Sequence, residues 1–307
     1  MSDNDLKCSV IIPTYNRREL LGHTLDSLTR QTLPRAEFEV IVVDDGSGDA
    51  TGEMVRGFQD RLRLRYFYQP DEGWRVAHAR NIGIRNAAAG ICVFIDSGLL
   101  LHSGCVAAHV ASHEGRGGPS AVIGYVYGFS NDNAGVERLS RQIDPDDPDG
   151  TIARLARDRR LADLREEFYA EYTDEFGDLP APWSVFWTCN VSARTGQIRE
   201  VGGFDEAFRS WGGEDLDLGY RLHRAGARFF LDRRAAATHL PHEKKTGANE
   251  EHATENYRYM ARKYDTPVTR LLELDEVRPF TINRIIRQRG IRERGPAEAP
   301  LPTGEPA

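Results

Sequence analysis

The feature that most limits what this chain can fold into is the alternation of apolar strands with amphipathic helices over residues 8 to 96. "CSVII" reads as a short buried strand closed by Pro13. After it, Leu21, Leu25 and Leu28 fall at i, i+4 and i+7, one face of a helix. "FEVIVVDDGSGDAT" is an apolar strand that breaks off in two aspartates and a glycine turn. A helix over 50 to 60, a strand at "LRLRYFYQ", a helix-rich "GWRVAHARNIGIRNAAAG" stopped by Gly90, and a strand over 91 to 96 follow. Strands joined in turn by helices lie parallel, so the expected fold class is α/β, with a mostly parallel, Rossmann-like central sheet flanked by helices. Ligands of such sheets sit beyond the carboxyl ends of the strands, near a change in strand order. Three strand ends therefore belong together: Pro13 to Arg17, Asp44 to Ser47, and Asp96 to Gly98.

The 307 residues suffice for one large domain or two small ones with a proper core. A net charge of −7 argues against a general nucleic-acid binder, although phosphate can still be bound locally. The start "MSDNDLKCSV" lacks the profile of a signal peptide, and no run approaches the roughly 20 apolar residues that cross a bilayer. Cys8, Cys92, Cys105 and Cys189 are widely spread without a CxxC pair and read as reduced core residues. The expectation is a cytoplasmic protein without a transmembrane segment.

Further along, "DPDDPDG" is an acidic turn-rich loop and "TIARLARDRRLADLREEFYAEY" a charged helix. "APWSVFWTCNVSART" returns to aromatic and β-branched residues, "GANEEHATENYRYMARKY" is a polar-faced helix, and a basic helix lies near 280 to 290. The tail "RGPAEAPLPTGEPA" reads as disordered. The expected organisation is a ligand-binding half over 1–110, a second half of the same domain over 111–245, a helical extension over 246–290 and the tail over 291–307.

At the first strand end, "IIPTYNRR" places a tyrosine where it can stack on a base, with Thr14 and Arg17 suited to hydroxyls or phosphate. The competing reading is a helix entry capped by Thr14 or Asn16. At the second, two adjacent carboxylates after four apolar β-formers cannot both be core, so at least one faces the crevice. There it can accept a hydrogen bond from a uracil N–H or a ribose hydroxyl; the competing reading is an Asx-turn with a cap from Ser47 or Asp49. At the third, Asp96 arrives where an enzyme handling a nucleotide diphosphate holds a metal, with Ser97 beside it and Gly98 where a second acid is expected. In "WGGEDLDLGYRL", Trp211 offers a flat face for a pyranose ring, and Gly212 and Gly213 remove bulk so that a sugar can approach the backbone. The acids Glu214, Asp215 and Asp217 then open a helix, where the helix dipole also favours them.

"SVIIPTYNR", "VIVVDDGSGDAT", "ARNIGIRNAAAG" and "FIDSG" resemble, in order and spacing, the nucleotide-sugar half of family-2-type glycosyltransferases of the GT-A fold, over about residues 8 to 110. "VGGFDEAFRSWGGEDLDLGYRLHRAG", residues 201 to 226, resembles the acceptor-and-catalysis segment shared by β-1,4-galactosyltransferases, polypeptide GalNAc-transferases and chondroitin-synthase-type enzymes. The resemblance implies that Pro13, Thr14, Tyr15 and Arg17 line the nucleotide and that Asp45 holds the uracil. It also puts Arg75 and Arg80 near the diphosphate, and Asp96 with Ser97 at the ribose or metal edge. On the acceptor side it implies Asp215 as general base, with Trp211, Gly212, Gly213 and Glu214 at the acceptor. Inverting transfer needs one such base to take the acceptor proton. The family's second metal-binding acid is replaced here by Gly98, so the Mn²⁺ or Mg²⁺ of the family would rest on Asp96 with His239 and His242 of "THLPHEKK". In the alternative, His242, Lys244 and Lys245 neutralise the leaving UDP without a metal.

The function these expectations describe is transfer of a sugar, with inversion, from a UDP-sugar to a hydroxyl of a soluble acceptor, either a secondary metabolite or cyclitol or a saccharide. Two competitors are a sugar-1-phosphate nucleotidyltransferase, which needs a Gly-rich loop that "PTYNRR" lacks, and a non-catalytic sugar-nucleotide or glycan-binding module, favoured by Gly98.

Overall fold

The computed structural model describes residues 6–129, 140–242, 246–274 and 276–292. Its strands are β1 (Cys8–Thr14), β2 (Phe38–Asp44), β3 (Leu64–Tyr68), β4 (Ile91–Ile95), β5 (Leu99–Leu101), β6 (Ser120–Tyr127), β7 (Asn190–Arg194) and β8 (Arg228–His239). They form one sheet in the order β3-β2-β1-β4-β7-β6-β8-β5. β1 pairs parallel with β2 and β4, β2 with β3, and β6 with β8. β7 enters antiparallel between β4 and β6, and β5 closes the far edge antiparallel to β8. From β1 the chain builds outward to β2 and β3, then returns to lay β4 on β1's other side. The change of strand order therefore falls between β1 and β4, and their carboxyl ends open the crevice.

β1 and β2 are buried at every residue, as parallel strands covered on both faces must be. Their side chains divide by parity. Ile11, Ile41, Val43 and Phe94 join one apolar cluster, while Val10, Ile12, Val40, Val42 and Val93 join the other. On the second face lie α1 (Arg18–Thr29), which buries Leu21, Leu25 and Leu28 as their spacing predicts, α2 (Thr51–Arg56), and α4 (Cys105–Glu114). On the first lies α3 (Val76–Asn86), drawn so close that a Cβ on Gly83 would stand 2.4 Å from Ile11 Cγ2. All four cysteines are buried and free.

The single charged helix expected over 151–172 is two, α5 (Pro148–Asp158) and α6 (Glu166–Tyr172). Arg159 and Leu161 both take φ of 49° between them, which turns the chain so that Asp163 and Arg165 enter the core. The aromatic and β-branched stretch from 181 begins as a 3₁₀ turn, Pro182–Val185, before β7. α7 (Thr195–Glu200), α8 (Glu214–Arg224), α9 (Thr246–Tyr264) and α10 (Ile282–Arg289) complete the fold. Among the described residues no helix is long and apolar enough to cross a membrane. The tail beyond 292 and the lysines 244 and 245 lie outside the described residues.

Candidate donor and acceptor site

The two aspartates at the end of β2 divide the labour that the sequence left open. Asp44 makes the turn: its Oδ1 accepts from the Ser47 amide at 2.7 Å and its Oδ2 from the Tyr66 hydroxyl at 2.7 Å. The Asp45 side chain, one residue on, takes no part in that turn. Its Oδ2 accepts from the Arg75 amide at 2.9 Å and its Oδ1 from the Gln69 side-chain amide. Burial pushes its carboxyl up, against the pull of those two donors. Around it, Thr14 Oγ1 and Gln69 Oε1 are buried with no partner. Unpaired buried polar atoms beside a strand end are atoms that a ligand can satisfy.

Neither Thr14 nor Asn16 caps α1. Asp49 does so from the second strand end, accepting from the Arg18 amide at 3.0 Å. Asn16, at φ 49°, instead accepts from the Gly48 amide at 2.8 Å, so the two loops are sewn together. Tyr15 stands 45% exposed with its hydroxyl on Asp71 at 2.8 Å, leaving its ring face open. The Ser97 hydroxyl donates to the Pro13 carbonyl at 2.9 Å, tying the end of β4 to that of β1.

Both arginines expected near the diphosphate, Arg75 and Arg80, are already engaged. Arg75 donates to Glu72 at 2.7 Å and to the Pro70 carbonyl. Arg80 is buried, with Nη1 on Glu214 at 2.7 Å and Nη2 on Asp96 at 3.1 Å. Burial works against its charge, yet Asp96 and Glu214 outweigh that and hold it firmly protonated. Arg17 differs. Among the described residues its guanidinium has no hydrogen-bond or ion-pair partner, and burial lowers its pKa, with Asp96 the one charge supporting it. A poorly solvated cation without a partner is suited to an incoming anion.

Arg80 joins the two halves of the site. It sits on α3 five positions after Arg75, about 7.5 Å further along the helix axis. One end of α3 thus meets Asp45, and its middle meets Asp96 of the β4 end and Glu214 of α8 together. Glu214 is buried and its Oε2 has no partner. Asp215 beside it keeps a partly exposed face and accepts from the Leu216 amide at 2.8 Å, and the Thr188 amide is near enough to favour its charged form. Burial, then the neighbouring charge of Glu214, raises the Asp215 carboxyl to about 7, with Arg80 and the two amides pulling the other way. A carboxylate poised near neutrality can both hold and release a proton at physiological pH.

The glycines before it have a different use from the one expected. Gly212 and Gly213 take φ of +88° and +96°, a left-handed pair that L side chains rarely adopt. A Cβ on them would stand 3.3 Å from Ala253 Cβ and 3.1 Å from Asn256 Cβ. The missing bulk admits helix α9 of the protein itself, rather than a sugar.

The expected metal ligands do not close into a set. The rings of His239 and His242 lie 5.2 Å apart, and His239 packs edge-on to Phe129. Among the described residues no three His, Cys, Asp or Glu side chains gather so as to hold an ion. Gly98 is also more than a lost acid. It takes φ of +100°, and a Cβ there would point at Leu20 of α1, 3.6 Å away. Gln69, which orients Asp45, and Thr188, whose amide favours the charged form of Asp215, were missed in sequence. Neither has a motif, since each acts from a segment remote in the chain from the acid it holds.

Two family descriptions divide the chain: glycosyl transferase family 2 matches residues 9–172, and the N-terminal domain of galactosyltransferase matches residues 174–243. A validoxylamine A glucosyltransferase of Streptomyces hygroscopicus subsp. jinggangensis is 41% identical over 241 residues, 78% of this chain and 57% of the relative. The chain thus spans little more than half the length of that relative. Among solved structures, TarS of S. aureus (residues 1–349) in complex with UDP-GlcNAc matches with a TM-score of 0.61 at 17% identity, covering 92% of this chain and 71% of that one. The mannosyltransferase PcManGT of Pyrobaculum calidifontis, in complex with GDP-Man and Mn²⁺, matches at 0.59 and 19%, covering 92% and 68%. At those identities the likeness establishes the fold, that of the GT-A glycosyltransferases.

Proposed function

This chain belongs to glycosyl transferase family 2, and from that premise we propose that it moves a sugar from a UDP-sugar to a hydroxyl of a soluble acceptor, with inversion. The observation that carries the reading is the Arg80 bridge, which puts the acid pair of α8 beside the nucleotide end of the sheet. In this reading Asp45, oriented by Gln69, accepts from the uracil N–H, and Pro13, Thr14 and Tyr15 line the base and ribose. Arg17 meets the diphosphate, Arg75 braces Asp45, and Arg80 holds Asp96 against Glu214. Ser97 fixes the strand end on which Asp96 sits.

The acceptor rests between Trp211 and Glu214, whose unpartnered Oε2 accepts from one of its hydroxyls. A second hydroxyl attacks the anomeric carbon from the face opposite the diphosphate. The new C–O bond forms as the bond to the phosphate oxygen breaks, UDP leaves with the electron pair, and Asp215 takes the hydroxyl proton. The name of the validoxylamine relative supports a glucosyl donor and a discrete acceptor compound; the UDP-GlcNAc complex of TarS supports a UDP-sugar.

Mn²⁺ or Mg²⁺ is suggested by the PcManGT complex, but among the described residues Asp96, His239 and His242 do not present a ready ligand set. The competing reading, a binding module without turnover, has Gly98 in its favour. UDP release from UDP-glucose, UDP-galactose and UDP-GlcNAc, with cyclitol and oligosaccharide acceptors and with or without EDTA, separates the two. Acceptor-stimulated release from one donor supports transfer. Donors that stabilise the fold but are never consumed leave the binding module.

A further inference from the structure

Helix α9 begins at Thr246, past the end of both family matches, and it holds the segment that carries the acid pair. Asn256 on this helix is 9% exposed. Its Nδ2 donates to the Gly212 carbonyl at 2.6 Å and to Ser210 Oγ at 3.1 Å, with the Ser210 and Trp211 carbonyls each at 3.4 Å. Ala253, Asn256, Tyr257 and Met260 recur at i, i+3, i+4 and i+7, so they share one face of α9. Burial and the charges of Asp215 and Glu214 raise the Tyr257 phenol, which puts this face within electrostatic reach of both acids.

A second grip lies just beyond. Lys263 joins Asp205 at 2.8 Å to Asp217 at 2.7 Å, and the Tyr264 hydroxyl donates to Asp217 at 2.7 Å. Asp215 therefore lies between two tethers to one helix, one on the turn before it and one on the residue two places after.

We propose that Asn256 is a positioning residue that locks the Ser210–Gly213 turn and so fixes the Asp215 carboxylate; the proposal rests on the reading of Asp215 as base. Two consecutive glycines have the widest backbone freedom of any dipeptide, and their left-handed conformation needs an external hold. Asn256 supplies it by spending its two N–H bonds on the Gly212 carbonyl and Ser210 Oγ, with the Ser210 and Trp211 carbonyls at longer range. A displacement of about 1 Å at a reacting group can lower a rate by about a hundredfold.

The test compares Asn256→Ala and the near-isosteric Asn256→Asp, which cannot donate to the carbonyls, with wild type and Asp215→Asn. Both Asn256 variants should lose at least about tenfold in kcat while KM for the UDP-sugar and UDP affinity by calorimetry stay within about threefold. In the wild-type protein, hydrogen exchange at Leu216 and Asp217 should be protected in step with residues 253–260 of α9. A folded Asn256 variant with unchanged kcat overturns the proposal. So does a Leu216–Asp217 segment that exchanges freely while α9 stays protected, a readout that needs no activity and no variant. Turnover persisting in Asp215→Asn would instead remove the base reading itself.

Discussion

Two arginines, Arg80 and Arg165, are buried to nearly the same degree, with side-chain exposures of 4% and 1%, and they have opposite surroundings. Arg165 is complete. It donates from Nε and Nη2 to Asp163 at 2.9 and 2.7 Å, from Nη2 to the Gly124 carbonyl at 3.1 Å and from Nη1 to the Val185 carbonyl at 3.1 Å, and its guanidinium lies over Trp187. Arg80 is incomplete. Its Nε has no partner, its partner Glu214 has an unpaired oxygen, and its other partner, Asp96, is 40% exposed. A buried charge with every bond made belongs to the fold. One that leaves polar atoms unmatched beside a half-open carboxylate belongs to a site awaiting a ligand.

Arg165→Met should break the first environment outright. Asp163 would be left as a buried charge without a cation, held only by the Val126 and residue-165 amides, a loss of about 3–5 kcal/mol read as a fall in the urea midpoint. UDP affinity of the folded fraction should not change. Arg80→Met should break the second differently. Asp96 can turn to water, but Glu214 is left buried without its cation, so stability also falls; in the protein that stays folded by circular dichroism, kcat should drop by about a hundredfold as Glu214 and Asp215 lose their anchor. Because Arg80 lowers the Asp215 pKa, its removal should also move the acid limb of the kcat–pH profile to higher pH. A variant that loses stability but keeps its pH profile would erase the contrast.

Arg17→Ala sharpens the comparison from a third side. An arginine that spends no bond on the fold should cost little in stability, yet UDP binding by calorimetry should weaken by about tenfold, the value of one charge-assisted contact of about 1.4 kcal/mol. The smallest effect is on stability. The Asp215 carboxyl is raised in the folded protein, so its contribution is present below the ordinary carboxylate range and is lost as pH rises through about 7. Asp215→Asn should therefore raise the melting temperature at pH 8, by roughly 2–4 °C for each kcal/mol regained, and leave it unchanged at pH 4. An unchanged melting temperature at both pH values would mean that Asp215 ionises without cost.

β1 to β4 were legible because each of those apolar runs ends at a polar residue that cannot follow it into the core, whereas β5 to β8 were not foreseen. The acid pair was legible because Gly-Gly before Glu-Asp has no counterpart among ordinary helix starts. Of the two readings at Asp44 and Asp45, the Asx-turn holds at Asp44, which accepts from the Ser47 amide, while the ligand contact of Asp45 stays a proposal. What sequence could not give were the partnerships across the chain. Arg80 meets a glutamate 134 positions away, and Asn256 meets a turn 44 to 46 positions before it. The break after Asp158 was hidden too, because Arg159 and Leu161 adopt left-handed backbone where no glycine signals it. The roles of Gly212 and Gly213 were misread, and that of Gly98 read only in part, for one reason. A glycine's spacing is visible in sequence, but the direction in which its missing side chain would have pointed is not.

The central claim is that the strand ends carrying Asp45 and Asp96 and the acid pair of α8 form one site in which binding and proton removal are separate tasks. Asp215→Asn, assayed for UDP affinity by calorimetry and for UDP-sugar turnover in the same preparation, tests it most directly. The account predicts a dissociation constant within about threefold of wild type and a turnover lower by about a thousandfold or more. Turnover within tenfold of wild type, or loss of UDP binding together with activity, would contradict it.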